Sequence, residues 1–346
     1  MTVARLSVPA IGGLLAAMAG SFWCWWSVRR KRGLSELILW RMSQSRIRVR
    51  ELRLYPVKSC KAVSVKSALV TARGFFGDRT FQVSQNGKHC TPRDPGMASL
   101  FHLSSSLTTD KLTLSLPRKY AAPTFQVDLL ASTTSVRVTC EGLSAAPRPD
   151  DDRETLQDYG DQVASWLEHH LSISGARLVG IGSGEHYQRT MIVNPKHKAQ
   201  LPKEKAPVSL ADEAPFLLVS MASLNDLNQR LKTKSLPAVT MERFRPNIVI
   251  AGGALEPWAE ERWKRVRIGR VEFWVWQSCA RCEMVTIDNQ TLKRNKEPLA
   301  ALAAYRKRPH GAINFGMHLI PCSGTQLNES EAMSVSRGEE LVVLEM

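Results

Sequence analysis

The order of elements in this 346-residue chain predicts a β-rich α+β fold preceded by one N-terminal transmembrane helix. Three observations carry this. Short apolar or alternating runs outnumber helical stripes. They do not alternate regularly with helices, which disfavours a doubly wound parallel sheet and favours a β-rich or barrel-like architecture. Finally, no charged residue lies between Arg5 and Arg29, and these 23 positions are enough to cross about 30 Å of hydrocarbon.

The apolar stretch comes first. Trp23, Trp25 and Trp26 sit at its C-terminal end and "RRKR" follows, a pattern that keeps that side in the cytosol. Ala17-Met18-Ala19 has the small-x-small form of a signal-peptide cleavage site, so a cleaved leader is the rival reading. Regular structure is expected from Arg46. In "RIRVRELRLYPV" the apolar positions Ile47 and Val49, then Leu52 and Leu54, slip by one residue, as in a bulged strand. "TFQVS", "KLTLSL" and "SVRVTC" read as further strands. "EGLSAAPRPDDDRE" reads as a loop before a helix "DYGDQVASWLEHHL", whose face carries Val163, Trp166, Leu167 and Leu171. "APFLLVS" reads as a buried strand, and "SLNDLNQRL" as a helix with a stripe of Leu224, Leu227 and Leu231. "NIVIAGG", "RVEFWVW" and "ELVVLE" read as strands, and "EPLAALAAYRKR" as a helix with Pro298 at its start.

The net charge of +15 is concentrated at one end: residues 1–50 hold nine basic side chains against Glu36 alone. The remainder shows no basic helix or aromatic ladder, so no nucleic-acid partner is expected. Seven cysteines without disulfide-scaffold density fit a reducing compartment.

Cys279 and Cys282, in "QSCARCEMVTID", are the chemically informative pair. A redox dithiol would open a helix, whereas this pair follows a strand and leads into a β-branched, strand-like segment. A structural zinc site would need two further ligands, and no second CxxC or close His pair supplies them. Two readings stay open: small buried hydrophobes at a strand end, or one thiolate holding a soft metal whose other ligands belong to a cofactor, with Arg281 raising thiolate character. The second requires an anion site. Lys58 and Ser59 in "YPVKSCKAV", Arg79 in "GDRTF", Arg93 in "TPRDP", and Arg243, Arg245 and Asn247 in "RFRPNIVI" are suitable donors.

The motifs "LYPVKSCK", "DR", "PFLLVSMASLNDLNQRL", "FRPNIVI", "CARCEMVTID" and "KEPLAAL" occur in an order and spacing that resembles the mitochondrial amidoxime reducing component, a molybdenum enzyme with MOSC domains. The resemblance runs from Arg46 to the end. It implies a membrane anchor and basic connector over 1–45, an N-terminal MOSC β-barrel-like region over 46–178 and a MOSC domain over 185–346. It implies a molybdenum cofactor (Mo-molybdopterin) ligated by Cys282 as metal ligand and catalytic residue, with Lys58, Ser59, Arg79, Arg245 and Asn247 on the cofactor and Cys279 as a packing residue. Reduction of small N-hydroxylated compounds (amidoximes, hydroxylamines) is then expected. Electrons would come from NADH through cytochrome b5 reductase and cytochrome b5, at the mitochondrial outer membrane, with the catalytic body facing the cytosol.

Two departures from the family pattern bear on the cofactor. Glu213-Ala214 stands where mammalian members have Thr-Ser, adding a negative charge near the expected phosphate. His318 stands where relatives have tyrosine and is a further cofactor-contact candidate. The alternatives are a MOSC sulfur-carrier or binding module, as in molybdenum cofactor sulfurases, and a membrane adaptor. Sulfurases join this region to a pyridoxal-phosphate desulfurase domain, for which no room is expected ahead of the first strand.

Overall fold

The computed structural model describes residues 46–131, 133–139, 153–182, 187, 189–192, 205–322 and 333–346. The anchor expected over residues 6–28 lies outside them. Among the described residues no helix is long and apolar enough to cross a membrane. Residues 47–251 and 255–346 form one compact unit.

Its backbone is an eight-stranded sheet, antiparallel except where Phe216–Ser220 runs parallel to Ile248–Ala251. The centre is Phe216–Ser220, flanked by Ile248–Ala251 and Asn314–Pro321, with Val271–Ala280 beyond the latter. "FLLVS" is apolar throughout because both faces are covered. Phe216 and Leu218 point into a core with Leu52, Ile248, Phe273 and Leu319. Leu217 and Val219 point the other way, against helix α2 (Met221–Thr233) and helix α3 (Leu299–Arg306). Leu224, Leu227 and Leu231 of α2 are buried there, each contributing about 2 kcal/mol. Ser220 caps α2 by accepting from the Ser223 N–H.

The first strand, Arg48–Leu54, joins this sheet beside Ile248–Ala251, and its register shifts between Val49 and Glu51 where the apolar pattern slips. The chain therefore enters the loop from Tyr55 to Cys60 at the sheet's end. A closed five-stranded barrel follows, built from Phe81–Gln85, Lys88–His89, Thr134–Thr139, Arg153–Asp158 and Ala176–Gly180. Helix α1 (Asp161–Leu171) buries Val163, Trp166, Leu167 and Leu171 in the barrel's core.

Three expectations are corrected. The loop expected through Arg153 and Glu154 gives way to the strand Arg153–Asp158, which pairs in full register with Thr134–Thr139. Leu156 is its one buried apolar side chain, so it carries no readable alternation. Helix α1 starts at Asp161 rather than Asp158, because Gly160 at φ 92° is not helical. The segment after Cys282 is a 3-10 turn, Glu283–Thr286, not a strand. The Val285 N–H donates to the Cys282 carbonyl at 3.4 Å and Thr286 Oγ1 to the Glu283 carbonyl at 2.7 Å.

Candidate cofactor site

The strand Val271–Ala280 carries two bulges against Asn314–Pro321, between Val275 and Gln277 and between Ser278 and Ala280. The second leaves Cys279 without a paired residue at the strand's end, a device that re-aims a side chain. Cys279 is 8% exposed and packs with Leu217, Val219, Phe244 and Phe315. Cys282 is exposed, at the N-cap of the 3-10 turn. One thiol faces inward and the other outward.

Both line a cavity of about 200 Å³. Every residue singled out in the sequence as a cofactor contact reaches its wall: Lys58, Ser59, Arg79, Arg245, Asn247 and His318. Lys58 and Ser59 come from the loop after the first strand. Ser59 has φ 67°, and its hydroxyl lies 3.3 Å from His89 Nε2. Arg79 and Arg245 also take positive φ, 52° each, and both guanidinium groups lie against the buried Tyr55 ring, at 4.6 and 4.4 Å from its centroid. Three non-glycine residues in this sparsely populated conformation at one cavity suit a site whose side-chain directions are fixed in advance.

Asn247 is 1% exposed and its amide is fully engaged by the protein. Its Oδ1 accepts from Arg79 at 3.1 Å and from the Leu217 N–H at 3.2 Å. Its Nδ2 donates to Asp78 at 3.0 Å and to the Arg53 carbonyl at 3.3 Å. It holds Arg79 in place.

The cations of the wall divide into two groups. Lys58 pairs with Asp212 at 2.8 Å, Arg79 with Asp78, and Arg243 with Asp288 at 2.6 Å. Asp212 is largely exposed, and Lys58 beside it holds its carboxyl well below the usual carboxylate range. Arg93, Arg245 and Arg281 have no carboxylate partner among the described residues. Arg245 donates to the Cys60 carbonyl at 2.7 Å, and burial pulls its pKa down. Arg93 Nε is buried with no partner. Arg281 spends its guanidinium on the Phe315 and Phe244 carbonyls, at 2.9 and 3.0 Å. Arg281 favours the ionised form of Cys279, whereas the sequence suggested its effect for the metal-holding thiol.

The two departures from the family pattern meet. His318 Nε2 lies 3.0 Å from Glu213 Oε2, and Gln277 donates to the same oxygen at 3.4 Å. The charge that Glu213 adds is thus opposed by a ring in place of a tyrosine. Asp78, Asp212 and Tyr55 went unread in the sequence, although each adjoins or lies within a motif quoted above.

Among the described residues no three His, Cys, Asp or Glu side chains converge as a metal site. A metal on Cys282 would take its other ligands from outside the chain, and the uncompensated guanidinium groups fit the anionic part of such a group. The donor set therefore fits a phosphate-bearing metal cofactor.

Comparison with known proteins agrees. Residues 205–342 match the MOSC domain family, and residues 46–174 match the MOSC N-terminal beta barrel domain. Mitochondrial amidoxime-reducing component 1 of Homo sapiens is 34% identical over 312 residues, covering 87% of this chain and 82% of that protein. Its Mus musculus counterpart is 33% identical, covering 87% and 81%. Molybdenum cofactor sulfurase of Oryza sativa subsp. japonica is 30% identical over 80% of this chain, which spans only 32% of that longer protein. By motif order, site composition and relatives alike, the chain belongs to the MOSC-domain family of the mitochondrial amidoxime-reducing components.

Proposed function

We propose that this chain is a molybdenum-cofactor-dependent reductase of N-hydroxylated compounds, with Cys282 as the protein's ligand to the metal. The supporting observation is the exposed Cys282 thiol at a cavity whose wall holds Arg93, Arg245 and Arg281 without carboxylate partners among the described residues. The relatives' names point the same way: some are named for amidoxime reduction, others for the molybdenum cofactor.

Cofactor, when bound, would supply the redox chemistry, while the protein supplies binding, orientation and electrostatics. In this reading Arg245 and Arg79, fixed against Tyr55, seat the phosphate, with Lys58 and Ser59 at the same end. Asn247 keeps Arg79 aimed, and His318 lines the same cavity with its charge opposed by Glu213. A soft thiolate suits a soft metal centre.

The domain division belongs to this proposal: an anchor and connector over 1–45, an N-terminal region over 46–178 and a MOSC domain over 185–346. The family matches over 46–174 and 205–342 support it. The anchored topology belongs to this proposal as well. Residues 6–28 would hold the chain in the mitochondrial outer membrane, with the body in the cytosol. There cytochrome b5 and its reductase would supply electrons. Mitochondrial location is supported by the relatives' names.

Reduction of benzamidoxime by the full chain, reconstituted with cytochrome b5, its reductase and NADH, tests the activity. Bound molybdenum without any such reduction would favour the sulfur-carrier reading.

A further inference from the structure

Cys279, His318 and Glu213 bring a thiol, an imidazole and a carboxylate to the lining of one cavity. Their positions follow from the sheet. His318 lies directly opposite Gln277 in the register, and the bulge after Ser278 sets Cys279 beyond it on the neighbouring strand. Glu213 approaches from the segment preceding Phe216–Ser220, placing Oε2 3.0 Å from His318 Nε2. Cys279 and His318 are 8% and 6% exposed, and both reach the cavity. The charged groups acting on the thiol are Arg281, His318 and Glu213, and those acting on the ring are Cys279 and Glu213.

This is the order of groups that activates a thiol nucleophile: a base beside the sulfur, itself oriented by a third residue. Burial opposes the Cys279 thiolate, yet Arg281 and then His318 outweigh it and draw its pKa below the ordinary value. Burial equally opposes the His318 cation, and Cys279 with Glu213 hold it up at about 10. Cys60 and Cys90 differ. Both are buried without such an opposing imidazolium, and burial pushes each up to about 12. Burial alone makes an inert thiol; the His318–Glu213 pair distinguishes Cys279 from these two.

We propose that Cys279 is a second functional thiol of this chain, a thiolate on the cavity wall opposed by the His318–Glu213 pair that reacts with small hydroperoxides. The step balances. Sulfur attacks one peroxide oxygen, an S–O bond forms as the O–O bond breaks, and the departing hydroxide takes a proton from His318 to leave as water. Cys279 is oxidised by two electrons to the sulfenic acid and the peroxide is reduced. An oxidant little larger than water fits a cavity of about 200 Å³. The reaction is that of the chain before the cofactor is seated, and it requires no metal on Cys282.

The test uses the full-length chain from a host unable to make the pterin. It is exposed to hydrogen peroxide from pH 6 to 8, trapped with saturating dimedone and mapped by peptide mass spectrometry. Cys279 is expected to carry the adduct, with Cys60 and Cys90 unlabelled, at a rate that rises less with pH than that of a thiol of ordinary pKa. A thiol of ordinary pKa would gain roughly 75-fold over the same two units. His318→Phe is expected to slow Cys279 at least tenfold at pH 6.5 and to steepen its pH dependence. Labelling of Cys279 no faster than Cys60 and Cys90, adducts confined to Cys282, or a steep profile in the parent would overturn the proposal. The parent profile decides even if a variant fails to fold. Failure here leaves molybdenum binding and amidoxime reduction untouched, so the two readings fall separately.

Discussion

His318 and Glu213 form an ion pair, Nε2 to Oε2 at 3.0 Å, between a buried ring and a partly exposed carboxylate at two positions singled out in the sequence. Either residue alone would leave an uncompensated charge beside the cavity. Together they form a matched acid and base. Since breaking one member of such a pair costs more than the pair contributes, the two positions are expected to change together.

The pair has a signature in the pH dependence of stability. Taken alone, His318 stabilises the fold fully below 6.5 and loses that contribution as pH rises through about 10. Cys279 runs oppositely. Its lowered pKa gives a contribution present above 9.0 and lost as pH falls through its folded value. Where both are charged in the folded chain the two slopes cancel. Between 9 and 10 the His318 slope outweighs that of Cys279, so stability falls as pH rises. Urea denaturation at pH 9 and 10 is expected to show this loss in the parent beyond that in His318→Gln; equal losses would refute it.

Asn247→Leu removes four hydrogen bonds, one of them to the buried Asp78 carboxylate. A destabilisation of about 3 kcal/mol is expected from chemical denaturation. Cofactor retention should fall with it, because Arg79 loses its guide.

Gly316 sits at φ 83° between Phe315 and Met317, and an added Cβ would stand 2.9 Å from the Leu218 carbonyl oxygen and 2.7 Å from Val219 Cγ2. Gly316→Ala is therefore expected to cost about 2–4 kcal/mol and to displace His318 two residues on. An unchanged melting temperature would show that the strand adapts.

Cys279→Ala and Cys282→Ser should separate. The first removes a buried sulfur and should cost about 1–2 kcal/mol of stability. The second leaves stability unchanged, since Cys282 is exposed, and should abolish activity by exchanging a soft ligand for a hard one. Denaturation curves and amidoxime turnover of both variants check this.

Much of the fold was legible where burial is two-sided or helical. "FLLVS" and the stripe Leu224, Leu227, Leu231 each announce their environment through apolar spacing. Arg153–Asp158 was not, because its pairing is with backbone and only Leu156 enters the core. Asn314–Pro321 was hidden similarly, since Gly316 and His318 interrupt an otherwise buried strand. At the site, Lys58, Ser59, Arg79, Arg245 and Asn247 were readable as candidates because they stand in contiguous motifs. Their neutralising partners were not. Which cations remain available to an anion depends on Asp212 meeting Lys58 and Asp78 meeting Arg79, relationships that only the folded chain fixes. The pairing of Glu213 with His318 bridges segments remote in sequence and is invisible to local pattern.

The most direct test of the central claim is molybdenum per chain, by elemental analysis of the purified body from about Arg41 onward and its Cys282→Ala variant, both made in a host that synthesises the cofactor. Near-stoichiometric metal in the parent and its loss from the variant are expected. A parent without molybdenum or pterin, or a variant that keeps both and still reduces benzamidoxime, would contradict the assignment of Cys282 as the ligand.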